Sequence, residues 1–139
     1  MSLSNNYENY LLDNIFRADS GNPVYRLDTL QVATGTVDET TDQIIADVQT
    51  PPAGSGYSPK TVSASDWTVT QSGIGYKVTN NTALTFDVAT GNWGTLTHFA
   101  LGESTNFKIG IYGTLDTPRA ITAGDTPSFP AGYLTVTIT

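Results

Sequence analysis

The sequence predicts an all-β chain: a sandwich or barrel of antiparallel strands behind one short N-terminal helix. Three observations carry that expectation. After residue 23, short apolar runs recur about every 8–12 residues, separated by Gly, Pro, Asn and Asp. Several runs alternate strictly, as in Leu84/Phe86/Val88, Phe107/Ile109/Ile111 and Leu134/Val136/Ile138, the last with Thr135, Thr137 and Thr139 facing the other way. Threonine is about one residue in six, and its branched Cβ suits a pleated surface while its hydroxyl stays hydrated.

The helix comes first. Asn5 and Glu8 have the spacing of an N-cap and its N3 partner, a capping box with Asn in place of Ser or Thr. Tyr7, Leu11 and Ile15 repeat at four-residue intervals, and Leu12 and Phe16 widen the stripe. Asp19-Ser20-Gly21-Asn22-Pro23 breaks the pattern, so residues 1–23 read as a helical arm and 24–139 as the β domain. A helix of three turns is marginal alone. Its apolar residues Tyr7, Leu11, Leu12, Ile15 and Phe16 are therefore the candidate protein-interface set, docking on their own domain or on a neighbouring subunit.

Strands are expected at Val24–Ala33, Tyr57–Val62, Trp67–Gln71, Tyr76–Thr79, Leu84–Val88, Leu96–Leu101, Phe107–Tyr112 and Tyr133–Ile138, with a further short apolar run at Gln43–Thr50. Pro51-Pro52-Ala53-Gly54-Ser55-Gly56 reads as a loop, because proline cannot donate to a ladder. No second helical pattern interrupts the strands, so parallel βαβ units are not expected.

Composition narrows the function. The 139 residues suit one domain. Charged residues make up only 14%, and the net charge is −7 with a pI near 4.2. The six Lys and Arg are scattered, whereas phosphate backbones and anionic membranes require clustered cations, so neither nucleic acid nor membrane is an expected partner. Without cysteine there is no disulfide, thiolate metal site or thiol nucleophile. The start has no cationic and apolar segments of a secretory signal.

Chemistry-bearing residues are sparse. His98 is the sole histidine and lies within a strand pattern, where a hydrogen-bonded sheet position is the plainer reading than a catalytic base. Asp38-Glu39-Thr40-Thr41-Asp42 lacks the spacing of a calcium loop and reads as a solvated turn. Asn80-Asn81-Thr82 matches a glycosylation acceptor and reads as a turn, and Gly73-Ile74-Gly75 reads as a hairpin. Trp67, Trp93 and the seven tyrosines are candidates for a sugar-binding face or for core. No catalytic, cofactor or metal residues are assigned, and the chain is expected not to be an enzyme.

Several stretches resemble a family of small tailed-bacteriophage virion proteins. They are Ser2-Leu3-Ser4-Asn5, Tyr7-Glu8-Asn9 and Leu11–Arg17, then Gly56-Tyr57-Ser58-Pro59 and Asn92–Leu101, and finally Gly113-Thr114-Leu115 through Ala123-Gly124-Asp125-Thr126 to Leu134–Thr137. Members are often labelled tail-fibre-like, and some look like capsid decoration (cement) proteins. The resemblance implies a jelly-roll-like antiparallel β-sandwich. It also implies a homo-oligomeric cement protein on the capsid exterior, binding and stabilising the major capsid protein shell. Its alternative is a tail-fibre or adhesin-type domain binding host surface glycans.

Overall fold

A computed structural model of the chain describes residues 26–36, 45–105 and 107–138. The predicted helix, with Tyr7, Leu11, Leu12, Ile15 and Phe16, lies outside the described residues, as does the acidic run 38–42. The described residues form nine strands, in order β1 (Thr29–Ala33), β2 (Lys60–Thr61), β3 (Trp67–Ser72), β4 (Gly75–Asn80), β5 (Leu84–Thr85), β6 (Gly94–Glu103), β7 (Lys108–Ile121), β8 (Ser128–Phe129) and β9 (Thr135–Ile138). They group as a four-stranded sheet β2-β1-β6-β7, a three-stranded sheet β3-β4-β9 and the pair β5-β8. The ladders of the two larger sheets are antiparallel throughout, as expected of an all-β chain.

The described residues form two compact units. One holds Leu27–Thr61 and Thr85–Ser128, the other Val62–Leu84 with residues 129–138. In the larger unit the central strands are buried on both faces: Leu30, Gln31, Val32 and Ala33 of β1, and Ala100, Leu101, Gly102 and Glu103 of β6, are all buried. Burial on both faces explains why alternation in β1 is only partial in the sequence. Ala33, Val48, Ala100 and Ile109 make one cluster, with Tyr112 packed against it. Elsewhere Tyr57, Phe86 and Trp93 meet as an aromatic triad, with Trp93 edge-on to Tyr57 at 5.2 Å and to Phe86 at 6.3 Å between centroids.

The 51–56 loop is a loop, as its prolines require, but it also supports the core. Ser55 is buried, and its carbonyl accepts the Trp93 indole N–H at 2.8 Å and the backbone N–H groups of Thr90 and Gly91. The run at Gln43–Thr50 differs from expectation. Ile45–Asp47 is a 3₁₀ turn, and a Cβ on Gly102 would lie 3.1 Å from Cγ1 of Ile45, so the turn packs closely over β6. The strand expected at Leu84–Val88 stops at Thr85, because the N–H groups of Phe86 and Ala89 donate to the carbonyls of Pro127 and Asp125 in a loop.

In the smaller unit the Gly73-Ile74 hairpin closes β3 onto β4, with Ser72 opposite Gly75. Only Gly73 has positive φ (62°) in that loop, the signature of a type II′ turn. Trp67, Val78 and Leu134 are buried on one face, while Thr68, Thr70, Thr135 and Thr137 are exposed on the other. The alternation read at Leu134/Val136/Ile138 is therefore correct. Asn80 ends β4 inside this unit. Its side-chain amide donates to the carbonyls of Thr82, Phe129 and Pro130, its Oδ1 accepts the Leu134 N–H at 2.9 Å, and its backbone bonds Leu134 and Gly132.

One turn design recurs three times. In Pro52–Ser55, Thr122–Asp125 and Pro130–Tyr133 the central pair is Ala-Gly, and the fourth N–H donates to the first carbonyl at 3.1–3.3 Å. The glycines have φ of 79°, 95° and 87°, as the third position of a type II turn demands.

Candidate interaction surfaces

Most carboxylates with mapped contacts serve the backbone. Asp28 accepts the Ser104 N–H at 2.9 Å and the Ser104 hydroxyl at 2.6 Å, holding the β6–β7 hairpin loop. The buried Glu103 accepts the Lys108 N–H across the same loop. Asp66 accepts the Ser63 N–H and the Thr82 hydroxyl, and Asp125 accepts the Thr122 N–H. These are capping and turn roles, in which an anion is matched to exposed donors.

His98 sits half-buried on β6, between Ala33 of β1 and Thr114 of β7, with its Nδ1 2.7 Å from the Thr97 hydroxyl. This is the sheet position expected of it. Among the described residues, no three His, Cys, Asp or Glu side chains come together as a metal-binding group. Tyr57 is a largely buried phenol with a displaced titration. Burial pushes its phenol up to about 12, partly offset by the hydrogen bond its oxygen accepts from the Val32 N–H.

Of the aromatic candidates for a sugar-binding face, Trp67 and Trp93 are core residues, at 2% and 0% exposure. The large apolar side chains that do meet solvent among the described residues are Ile74 at the β3–β4 tip, Val88, Phe107 at the β6–β7 tip and Tyr133 in the 130–133 turn. Phe107 has φ 58°, the only non-glycine among the described residues with positive φ. Its carbonyl is held by the Ile45 N–H at 2.8 Å, so the hairpin displays the ring from a constrained backbone. Nothing in the sequence marks this conformation, which arises from bonds to Ile45, Asp28 and Glu103.

The sheet edges differ in how they are finished. Beyond β2, the outer side of β1 is completed by Tyr57, whose oxygen accepts the Val32 N–H, and by Gln49, whose carbonyl accepts the Thr34 N–H at 2.8 Å. The β7 edge carries exposed Asp116, Pro118 and Arg119, with ladder irregularities opposite Leu96/His98 and Leu101/Gly102. Charge, proline and bulges are devices that discourage edge-to-edge pairing.

No curated protein matches the chain. A family model described as podophage GP4 fiber I protein gp80 matches residues 2–137. The chain belongs to this family of bacteriophage virion proteins, tail-fibre-like in description, as the opening, central and C-terminal stretches had suggested.

Proposed function

We propose that the chain is a non-enzymatic structural subunit of the virion's fibre apparatus, acting through protein–protein contacts. The match to a fibre-protein family across residues 2–137 carries this reading. A fold whose mapped carboxylates mostly brace turns is consistent with it. In this role the antiparallel sheets are the scaffold that presents the contact surfaces. Among the described residues, Phe107 and Tyr133 are the exposed aromatic side chains available for contact with host surface glycans.

A second reading places the same fold on the capsid exterior as a cement protein bridging copies of the major capsid protein. It draws support from the absence of a fibrous repeat in the sequence. The two readings separate by location. In cryo-electron images of particles carrying a C-terminally tagged copy, label confined to the tail supports the fibre reading. A regular lattice of label over the shell would replace it with cement.

A further inference from the structure

We propose that β9 is a self-association edge, pairing antiparallel with β9 of a second copy about a two-fold axis through Thr137. Hydrogen-bond direction leaves one side of β9 open. The Asn80 N–H donates to the Leu134 carbonyl at 3.1 Å, in the same register as Thr79↔Thr135. Alternate residues of an antiparallel strand direct their backbone groups to the same side. Val136 and Ile138 therefore point their N–H and C=O groups toward β4 with Leu134. Thr135 and Thr137 present theirs on the outer side, where no described strand pairs with them.

The edge also lacks every protection found elsewhere. Thr135-Val136-Thr137-Ile138 has no charge, proline, glycine or bulge, and all four residues are β-branched. The Tyr57 hydroxyl and the Gln49 backbone carbonyl close the β1 edge, and Asp116, Pro118 and Arg119 guard β7. At β3, the Trp67 N–H is already used by the Ala64 carbonyl. An exposed, uncharged strand edge is a template for another strand.

A second copy fits this edge for reasons of both parity and charge. A two-fold through Thr137 sets Thr137 opposite itself and Val136 opposite Ile138 of the partner. Paired residues then share a face, so the half-buried Val136/Ile138 side is extended by its like and the threonine side by threonine. In a chain of net charge −7, this segment itself carries no charge, and the residue opposite Thr137 on β4 is the cationic Lys77, so the two copies bring no carboxylates together at the axis. This pairing is independent of whether the chain sits in a fibre or on the shell.

The test is the mass of the full chain in solution, by light scattering and sedimentation, before and after Thr137→Pro. That substitution removes an outward N–H and none of the β4–β9 ladder. The wild-type chain is expected at twice its 14.8 kDa and the variant at the monomer mass, with unchanged circular dichroism. If the proline variant fails to fold, Thr137→Lys replaces it. Its side chain lies on the exposed threonine face and sets like charges together across the axis, so dimerisation should weaken at least tenfold and recover with salt. The chain has no cysteine, so Thr137→Cys supplies a unique thiol that a short bis-maleimide should join to its mate, whereas Thr68→Cys should not. A wild-type monomer at high micromolar concentration, or an oligomer unchanged by the folded variants, would overturn the proposal.

Discussion

Phe99 of β6 stands directly across from Gly113 of β7, and its ring fills the space a side chain at 113 would take. A Cβ built on Gly113 would lie 3.0 Å from Cε1 and 3.1 Å from Cζ of that ring. An aromatic laid over a cross-strand glycine restores the packing the glycine lacks. Gly113→Val should therefore lower stability by about 1–3 kcal/mol, the usual range for overpacking. In a double-mutant cycle, Phe99→Ala should recover part of that loss, with a coupling of about 0.5 kcal/mol or more. Additive losses in thermal or denaturant unfolding would refute the pairing.

Asn80 should be intolerant of change. Asn80→Ala leaves the buried Leu134 N–H without its acceptor, at a cost of about 1–3 kcal/mol, and removes the donor that three partly buried carbonyls share. Asn80→Asp aims a carboxylate at the same carbonyls, which raises its folded-state pKa. That variant's deficit should be small at acid pH and grow as pH rises through the ordinary carboxylate value. Urea midpoints across pH 3–7 (about the carboxylate range) would reveal it.

Tyr57 predicts a dependence at the other end of the scale. Its folded pKa of about 12 lies above the unfolded value of 10.0, so its contribution is fully present below pH 10 and lost as pH rises toward 12. Two units correspond to about 2–3 kcal/mol. Tyr57→Phe should cost about 1 kcal/mol near neutrality, through the lost acceptor for the Val32 N–H. It should also flatten the alkaline decline relative to wild type. Parallel declines would count against the buried phenol as its source.

Phe107 carries strain that a better-suited residue would relieve. Asn tolerates positive φ far better than a bulky aromatic. Phe107→Asn should raise the melting temperature, corresponding to about 0.5–1 kcal/mol, while weakening whatever contact the exposed ring makes. A lower melting temperature would show that the ring contributes to the fold instead.

Local rules were legible wherever a local pattern decides structure. The Gly73-Ile74 hairpin, the breaking effect of Pro51-Pro52 and the Thr/apolar alternation of β9 follow from turn chemistry and the two-residue period. β7 was underestimated. It continues through Pro118 to Ile121, because an irregular stretch opposite Thr97 accommodates the proline before Arg119 rejoins Leu96. Asn80-Asn81-Thr82 looked like a turn alone. That Asn80 is 1% exposed and bonded to segments about 50 residues away depends on partners no local window contains. Of the candidate site residues, Tyr7, Leu11, Leu12, Ile15 and Phe16 fall outside the described structure. Phe107 was read as one residue of an alternating strand and Tyr133 as one of seven tyrosines, and neither reading distinguished them as exposed, since exposure is a property of the packed chain.

The sequence by itself determined that this protein is antiparallel and β-rich, where many of its turns fall and which virion family it resembles. Those features are set by dihedral preference, side-chain alternation and motif, all written within a few residues. Tertiary structure alone decided which tryptophans are core, which carboxylates hold hairpins, and which sheet edge is capped, guarded or left open. Those outcomes turn on hydrogen bonds and burial between residues tens of positions apart, where a donor's fate is settled by what the fold brings beside it.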